Sequence, residues 1–310
     1  MRRLVFALAV VPFLLALSGC EFAEWGNLQR FQEDFTHSYP FKSGSRLYVE
    51  NFNGSVEIAG WNRETADISG TKYASTENAR DALRIDIVTS GDSIRIRTVR
   101  PSGHRGNMGA RYVIKVPSRT FLDRVDSSNG SVYINGIEGN ARVHTSNGRV
   151  HVVRLKGSLD ASTSNGRLEF EDVQGPVNAH TSNGRVSATN VSNGLDVSTS
   201  NGGIDASLPS VQPGTPVKLA TSNGSVKLTI DSLTDNEIEA TTSNASITMH
   251  LPETLSANLK ARTSNASIST DFDVTSKGQI GKNVLEGTIG GGGQPLILRT
   301  SNGSIRLEKH

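Results

Sequence analysis

Apolar and polar residues alternate one by one through most of the chain, and small polar corners interrupt the alternation. In Gly157–Val173, Leu159, Ala161 and Thr163 fall on one face, and Leu168 and Phe170 fall on one face beyond Ser164-Asn165-Gly166. The following stretch repeats the arrangement with Val177, Ala179, Thr181, Val186, Ala188 and Val191. A period of two predicts strands, and runs of about six residues either side of a corner predict short ones. No window sustains a helical period; the nearest is Ser75–Leu83, long enough for about two turns.

The corners recur. Anchored on asparagine they stand at Asn129, Asn147, Asn165, Asn183, Asn201, Asn223, Asn244, Asn265 and Asn302. The intervals are 18 four times, then 22, 21, 21 and 37. The last is read as two turns with one degenerate copy near Lys282-Asn283. Repetition at about 20 residues marks a solenoid, in which each strand lies parallel to its copy one coil on. The expected fold is all-β: a single-stranded parallel β-solenoid of about ten coils, roughly 45–50 Å long, behind an N-terminal β cap. In this reading TSNG is scaffold. Asn-Gly supplies the positive φ of a sharp corner, and stacked asparagines pass amide hydrogen bonds along the axis. Ser and Thr hydroxyls satisfy backbone groups. A corner requirement explains every position, so nine ligand sites are not needed.

Before the repeats, Arg46–Ile58, Arg84–Val88, Ser93–Arg97 and Tyr112–Val116 also alternate, and Pro117 ends the last of these runs. Asn53-Gly54 reads as a first, isolated copy of the corner. Residues 31–120 are therefore assigned to a β cap and first coils, and 121–310 to the repeats. A bare solenoid end exposes strand edges, so some cap is required. The run Val49-Glu50-Asn51-Phe52-Asn53-Gly54-Ser55-Val56-Glu57-Ile58-Ala59-Gly60-Trp61 carries a resemblance, together with Ile114–Pro117, the TSNG repeats and the glycine-rich turn at Gly290 before Thr300–Gly303. On these the chain resembles the bacterial putative-adhesin family of unknown function, over most of residues 31–310. The resemblance implies an extracytoplasmic β-solenoid with an adhesive or envelope-associated role. It brings no catalytic residues.

The N-terminus changes the picture. Arg2 and Arg3 precede an apolar run, Leu4–Leu17, too short to span a bilayer as a helix but suited to a signal peptide. The run closes on Leu17-Ser18-Gly19-Cys20, which resembles a lipobox, and Cys20 is the only cysteine. We read 1–19 as a lipoprotein signal peptide and 20–30 as a lipidated tether. Acyl chains on Cys20 hold the protein at a membrane of the bacterial envelope, the outer membrane favoured over the inner. Without Arg2 and Arg3 the chain carries 30 basic and 30 acidic side chains, so charge gives no nucleic-acid signature.

Candidate chemistry is thin. Glu169 and Glu171 share a strand, but Ser187 and Thr189 take their places one coil on; Asp160 and Asp196 match in position but lie two coils apart. His144 and His180 are also two coils apart, with Ser162 between. No metal set, nucleotide loop or cofactor motif emerges. Charge distribution says more: Arg84–Arg119 holds eight basic residues and two acidic ones, with Arg95, Arg97, Arg100, Arg105 and Arg111 around one loop. These form a candidate patch for anionic lipid or glycolipid phosphate. Arg149, Arg167 and Arg185 form a stripe one coil apart, read as a solvated face balanced by Asp160 and Glu169. The functional expectation is a lipid-anchored, non-enzymatic adhesion or presentation rod. A carbohydrate-active β-helix enzyme and a regulatory partner of an envelope-stress system are the alternatives.

Overall fold

The computed structural model describes residues 31–103 and 106–310, with backbone alone for 277–280. Two long sheets, of 13 and 14 strands, face each other across one apolar layer. Each coil is a strand in the larger sheet, a TSNG corner, a strand in the smaller sheet and a return turn. Leu159–Thr163 and Leu168–Gln174 make one such coil. Leu159, Ala161 and Thr163 stand in register with Val177, Ala179 and Thr181, and Leu168, Phe170 and Val173 with Val186, Ala188 and Val191, all parallel. These side chains are buried, so alternation along a strand becomes a continuous column along the axis. Bulk is distributed within columns: Phe170 sits between Val152 and Ala188. The fold is an all-β parallel solenoid, with eleven two-stranded coils among the described residues.

Both ends depart from sequence order. At the N-terminal end, the coil of Arg46–Asn53 and Val56–Trp61 lies inside. Phe121–Asn129 and Val132–Glu138 pair with it on one side, and Ser93–Val99 and Met108–Pro117 on the other. Antiparallel strands then cover the end. Thr65–Ala74 and Phe31–Pro40 extend the smaller sheet, and Arg84–Ser90 the larger. The single helix among the described residues, Glu77–Ala82, starts at Thr76, whose hydroxyl accepts from the Ala79 amide at 3.3 Å. Buried Ala79 packs with Ala74 and Met108.

At the other end, the last coil in sequence, Pro295–Arg299 and Ile305–Lys309, is slotted between two earlier ones. Ile238–Thr241 and Ile247–Leu251 lie on one side of it, and Ala257–Arg262 and Ile268–Thr270 on the other. This corrects the expected degenerate coil near Lys282-Asn283. Those residues turn a hairpin, Val274–Gly281 to Val284–Ile289, whose second strand runs antiparallel along Ala257–Arg262. Spacing along the chain carries no strand direction, and an open edge strand needs a cover. The hairpin supplies it.

Candidate functional site

Each residue of the corner has its own geometry. The threonine is buried: Thr163 Oγ1 donates to the Gly148 carbonyl of the preceding coil at 3.1 Å and accepts from the Gly166 amide at 3.2 Å. The same pair of bonds recurs at Thr181, Thr199 and Thr221. The asparagines form one ladder, Nδ2 to the preceding Oδ1. It runs from Asn147 on Asn129 through Asn165, Asn183, Asn201, Asn223 and Asn244, each step 2.7 Å. Asn302 follows at 2.8 Å and Asn265 closes the ladder at 2.7 Å. Asn53 stays off it, bonding Asn107 Oδ1 and the Met108 carbonyl.

The glycine is not there for its dihedral. Of the corner residues only Gly54 has positive φ, at 108°. This overturns the expected left-handed corner. A Cβ on Gly166 would lie 1.7 Å from the Gly148 carbonyl oxygen, and the corresponding distances at Gly130, Gly148 and Gly184 are 1.8, 1.9 and 1.7 Å. At these four corners successive backbones approach too closely for a Cβ, whereas Ala245 and Ala266 hold the same position toward the other end.

The arginines near the N-terminal end do not form one patch. Arg95 and Arg97 project from the outer face of the larger sheet, where the Arg95 guanidinium lies 5.0 Å above the Tyr48 ring and Arg97 Nε is 3.5 Å from Glu50. Arg100 lies 5.5 Å over Phe52. Arg111 belongs to the smaller sheet and lies 5.1 Å over Tyr73, so the solenoid core separates it from Arg95 and Arg97. The chain changes sheets between Val99 and Met108, which divides the group. Arg105, like Cys20, lies outside the described residues.

Beside Arg95 and Arg97 lies a cluster that the sequence does not announce. Asp123 accepts from Arg46 at 2.6 Å and from the Tyr48 hydroxyl at 2.8 Å, while Arg124 joins Glu50 and Asp126. Partial burial alone would raise the Asp123 pKa, but the Arg46 and Tyr48 hydrogen bonds outweigh it and hold the carboxyl below its ordinary value. The Tyr48 phenol is raised by donating to Asp123. Inside, burial pushes the Tyr112 phenol well up, its hydroxyl 2.6 Å from Thr98 Oγ1.

The acidic and histidine candidates do not converge. Arg149 reaches Glu169 at 3.7 Å, His151 reaches Glu171 at 3.3 Å, and Asp160 pairs with Arg142 at 3.4 Å. His144 and His180 each meet a serine of the next coil, Ser162 and Ser198, at 2.9 Å. Among the described residues no three His, Cys, Asp or Glu side chains are placed to hold a metal ion, and no helix is long and apolar enough to cross a membrane. A trough of about 590 Å³ lies along the return turns, lined by Asp160, Asn178, Asp196 and Gln212 between Pro176 and Pro216, with no Lys or Arg in its walls.

Two solved structures resemble the chain at 12% identity. A putative cell adhesion protein from Clostridium sporogenes is covered over its whole length by 90% of this chain, with a TM-score of 0.25. A putative adhesin from Bacteroides fragilis is covered over 97% of its length by 90% of this chain, with a TM-score of 0.41. No curated protein matches the chain. Residues 45–308 match one family model across both sheets and all eleven coils, and the chain belongs to the Toastrack DUF4097 family.

Proposed function

We propose that the protein is a lipid-anchored rod of the bacterial envelope, tethered through Cys20, that serves adhesion or presentation and does no chemistry of its own. The observation that carries this reading is where the chain enters the fold. Phe31–Pro40 is the outermost strand of its sheet, at one end of the stack. A tether over residues 20–30 hangs the solenoid by that end and holds the other roughly 55 Å away. Continuous columns of core, threonine and asparagine leave no internal hinge across which that reach would be lost.

The same end carries Arg95 and Arg100 over Tyr48 and Phe52. Stacking fixes a guanidinium while leaving its N–H edge open, which suits anionic headgroup phosphates. The test is fractionation of cells producing the wild-type protein and Cys20→Ser. Wild-type protein in the membrane and variant protein in the soluble fraction are the expected outcome. A variant that stays in the membrane after a high-salt wash defeats the tether.

A further inference from the structure

The fold uses three residues of the TSNG corner and leaves the fourth idle. Threonine is spent on two backbone bonds, asparagine on the ladder and glycine on close contact. Serine contributes backbone only: Ser164 and Asn165 donate their amides to the Ser146 carbonyl at 3.2 and 3.0 Å. From Ser128 to Ser301, no corner serine hydroxyl has a hydrogen bond among the described residues, and each is exposed or half-buried. Yet all nine copies keep serine, while the position after the glycine drifts from Arg149, Arg167 and Arg185 to Gly203, Ser225 and Ser246. Scaffolding does not account for the hydroxyl.

Beside three of these serines runs the arginine stripe, and its expected balancing by neighbours fails for two of three members. Arg149 has Glu169, whereas Asp160 is taken by Arg142. Arg167 and Arg185 meet no acidic partner among the described residues, and both are exposed. Their coils are hydrogen-bonded neighbours, the Leu168 amide donating to the Arg185 carbonyl at 3.1 Å, so like charges stack at about the strand spacing of 4.8 Å. The strip offers donors: guanidinium edges, serine hydroxyls and the second amide hydrogen of Asn147 and of Asn165, while Asn183 turns its second toward the Ser164 carbonyl at 3.5 Å. Its exposed side chains are serine, asparagine and arginine, polar throughout.

We propose that the edge formed by Ser146–Arg149, Ser164–Arg167 and Ser182–Arg185 binds an extended acidic polysaccharide bearing one carboxylate per sugar, lying along the solenoid axis. An extended pyranose chain advances by about one strand spacing per sugar and turns its carboxylates to alternate sides. Carboxylates on one side therefore recur every second sugar and meet Arg149 and Arg185, two coils apart, each able to bind bidentately, with Arg167 between them on the oxygens of the middle sugar. Sugar hydroxyls meet the serines and amides between. Single contacts are weak, and the two carboxylates and the middle sugar of a three-sugar span act together. The inference deepens the adhesive part of the reading above and does not depend on the tether.

The experiment titrates the full-length protein in detergent micelles with oligogalacturonates of increasing length. Fully methyl-esterified polygalacturonate serves as the neutral control. Affinity is expected to climb until three sugars are engaged, to fall with added salt, and to drop about tenfold or more in the triple variant R149S/R167S/R185S. S146A/S164A/S182A is expected to weaken binding several-fold with its melting temperature unchanged, since no protein hydrogen bond is lost. Equal binding of the methyl ester, equal binding by the arginine variant, or no binding by wild-type protein overturns the proposal. A lowered melting temperature in the serine variant assigns the serines to the scaffold and overturns their role. None of these results bears on whether Cys20→Ser leaves the membrane.

Discussion

Asn302 donates its side-chain amide to Asn244 at 2.8 Å across 58 residues of sequence, while Asn265, 37 residues away, donates in turn to Asn302 at 2.7 Å. The ladder thus runs 244, 302, 265. The chain's final coil is paired on both sides, and the outermost parallel strand pair comes from residues 257–270. Amides of Ile305–Lys309 are therefore expected to exchange with deuterium more slowly than those of Ile268–Thr270. Faster exchange in the final strand would contradict the slotted order.

The corner predicts a ranking of substitutions at one coil. Gly166→Ala drives a methyl into the Gly148 carbonyl and should cost about 3 kcal/mol or more. Thr163→Val orphans a buried carbonyl and an amide, for about 1–3 kcal/mol. Asn165→Ala removes exposed ladder bonds, for about 1 kcal/mol. Denaturant melts of the three variants test the order, and Asn165→Ala as the most damaging would refute it.

Acid should loosen the end where the chain enters. Asp123 has a folded pKa below its unfolded value near 4, so its contribution is present above that value and is lost as pH falls through the folded one. Melting temperature measured downward from pH 6 is expected to drop below about pH 4 in the wild type and to fall less steeply in Asp123→Asn. Identical acid limbs would remove the Arg46–Asp123–Tyr48 cluster from the stability of that end.

Alkali acts through Tyr112. Its folded pKa lies above the unfolded value near 10, so its contribution is complete below about pH 10 and lost as pH rises toward the folded pKa. Unfolding monitored by tyrosinate absorbance should show Tyr112 ionising only with loss of structure. A phenol titrating freely in the folded protein would mean that the cap opens.

At the membrane, R95S/R100S in the Cys20→Ser background should abolish any residual salt-sensitive association with vesicles containing phosphatidylglycerol. Residual binding unchanged by the two substitutions would relieve these arginines of a membrane role.

What the sequence made legible was what repeats. Alternation placed Leu159, Phe170, Val177 and Ala188 inward because burial in a pleated strand has a period of two, and every coil restates it. Features that occur once were not legible. The direction of Val284–Ile289 depends on which edge was left open, and spacing does not encode that. The reason for glycine at the corner depends on the gap between coils, and Asn-Gly in a string of letters looks the same whether φ or contact demands it. The division of the arginines required the register of Ser93–Val99 on Arg46–Asn53, which brings Glu50 beside Arg97 and Tyr48 beside Arg95.

The slotting of a coil inward at each end has a bearing on how such a protein changes length. A repeat added at either end would find no free parallel edge in the larger sheet, because antiparallel strands already occupy both of its edges, and in the smaller sheet only the three-residue strand Ile268–Thr270 stays open. New coils can enter only by duplication within the stack. The tract from Thr145 to Gly202, whose corners are the most alike and all 18 residues apart, is where that register is kept strictly enough to accept one. Longer and shorter relatives built on this plan should differ in their middles and keep their ends.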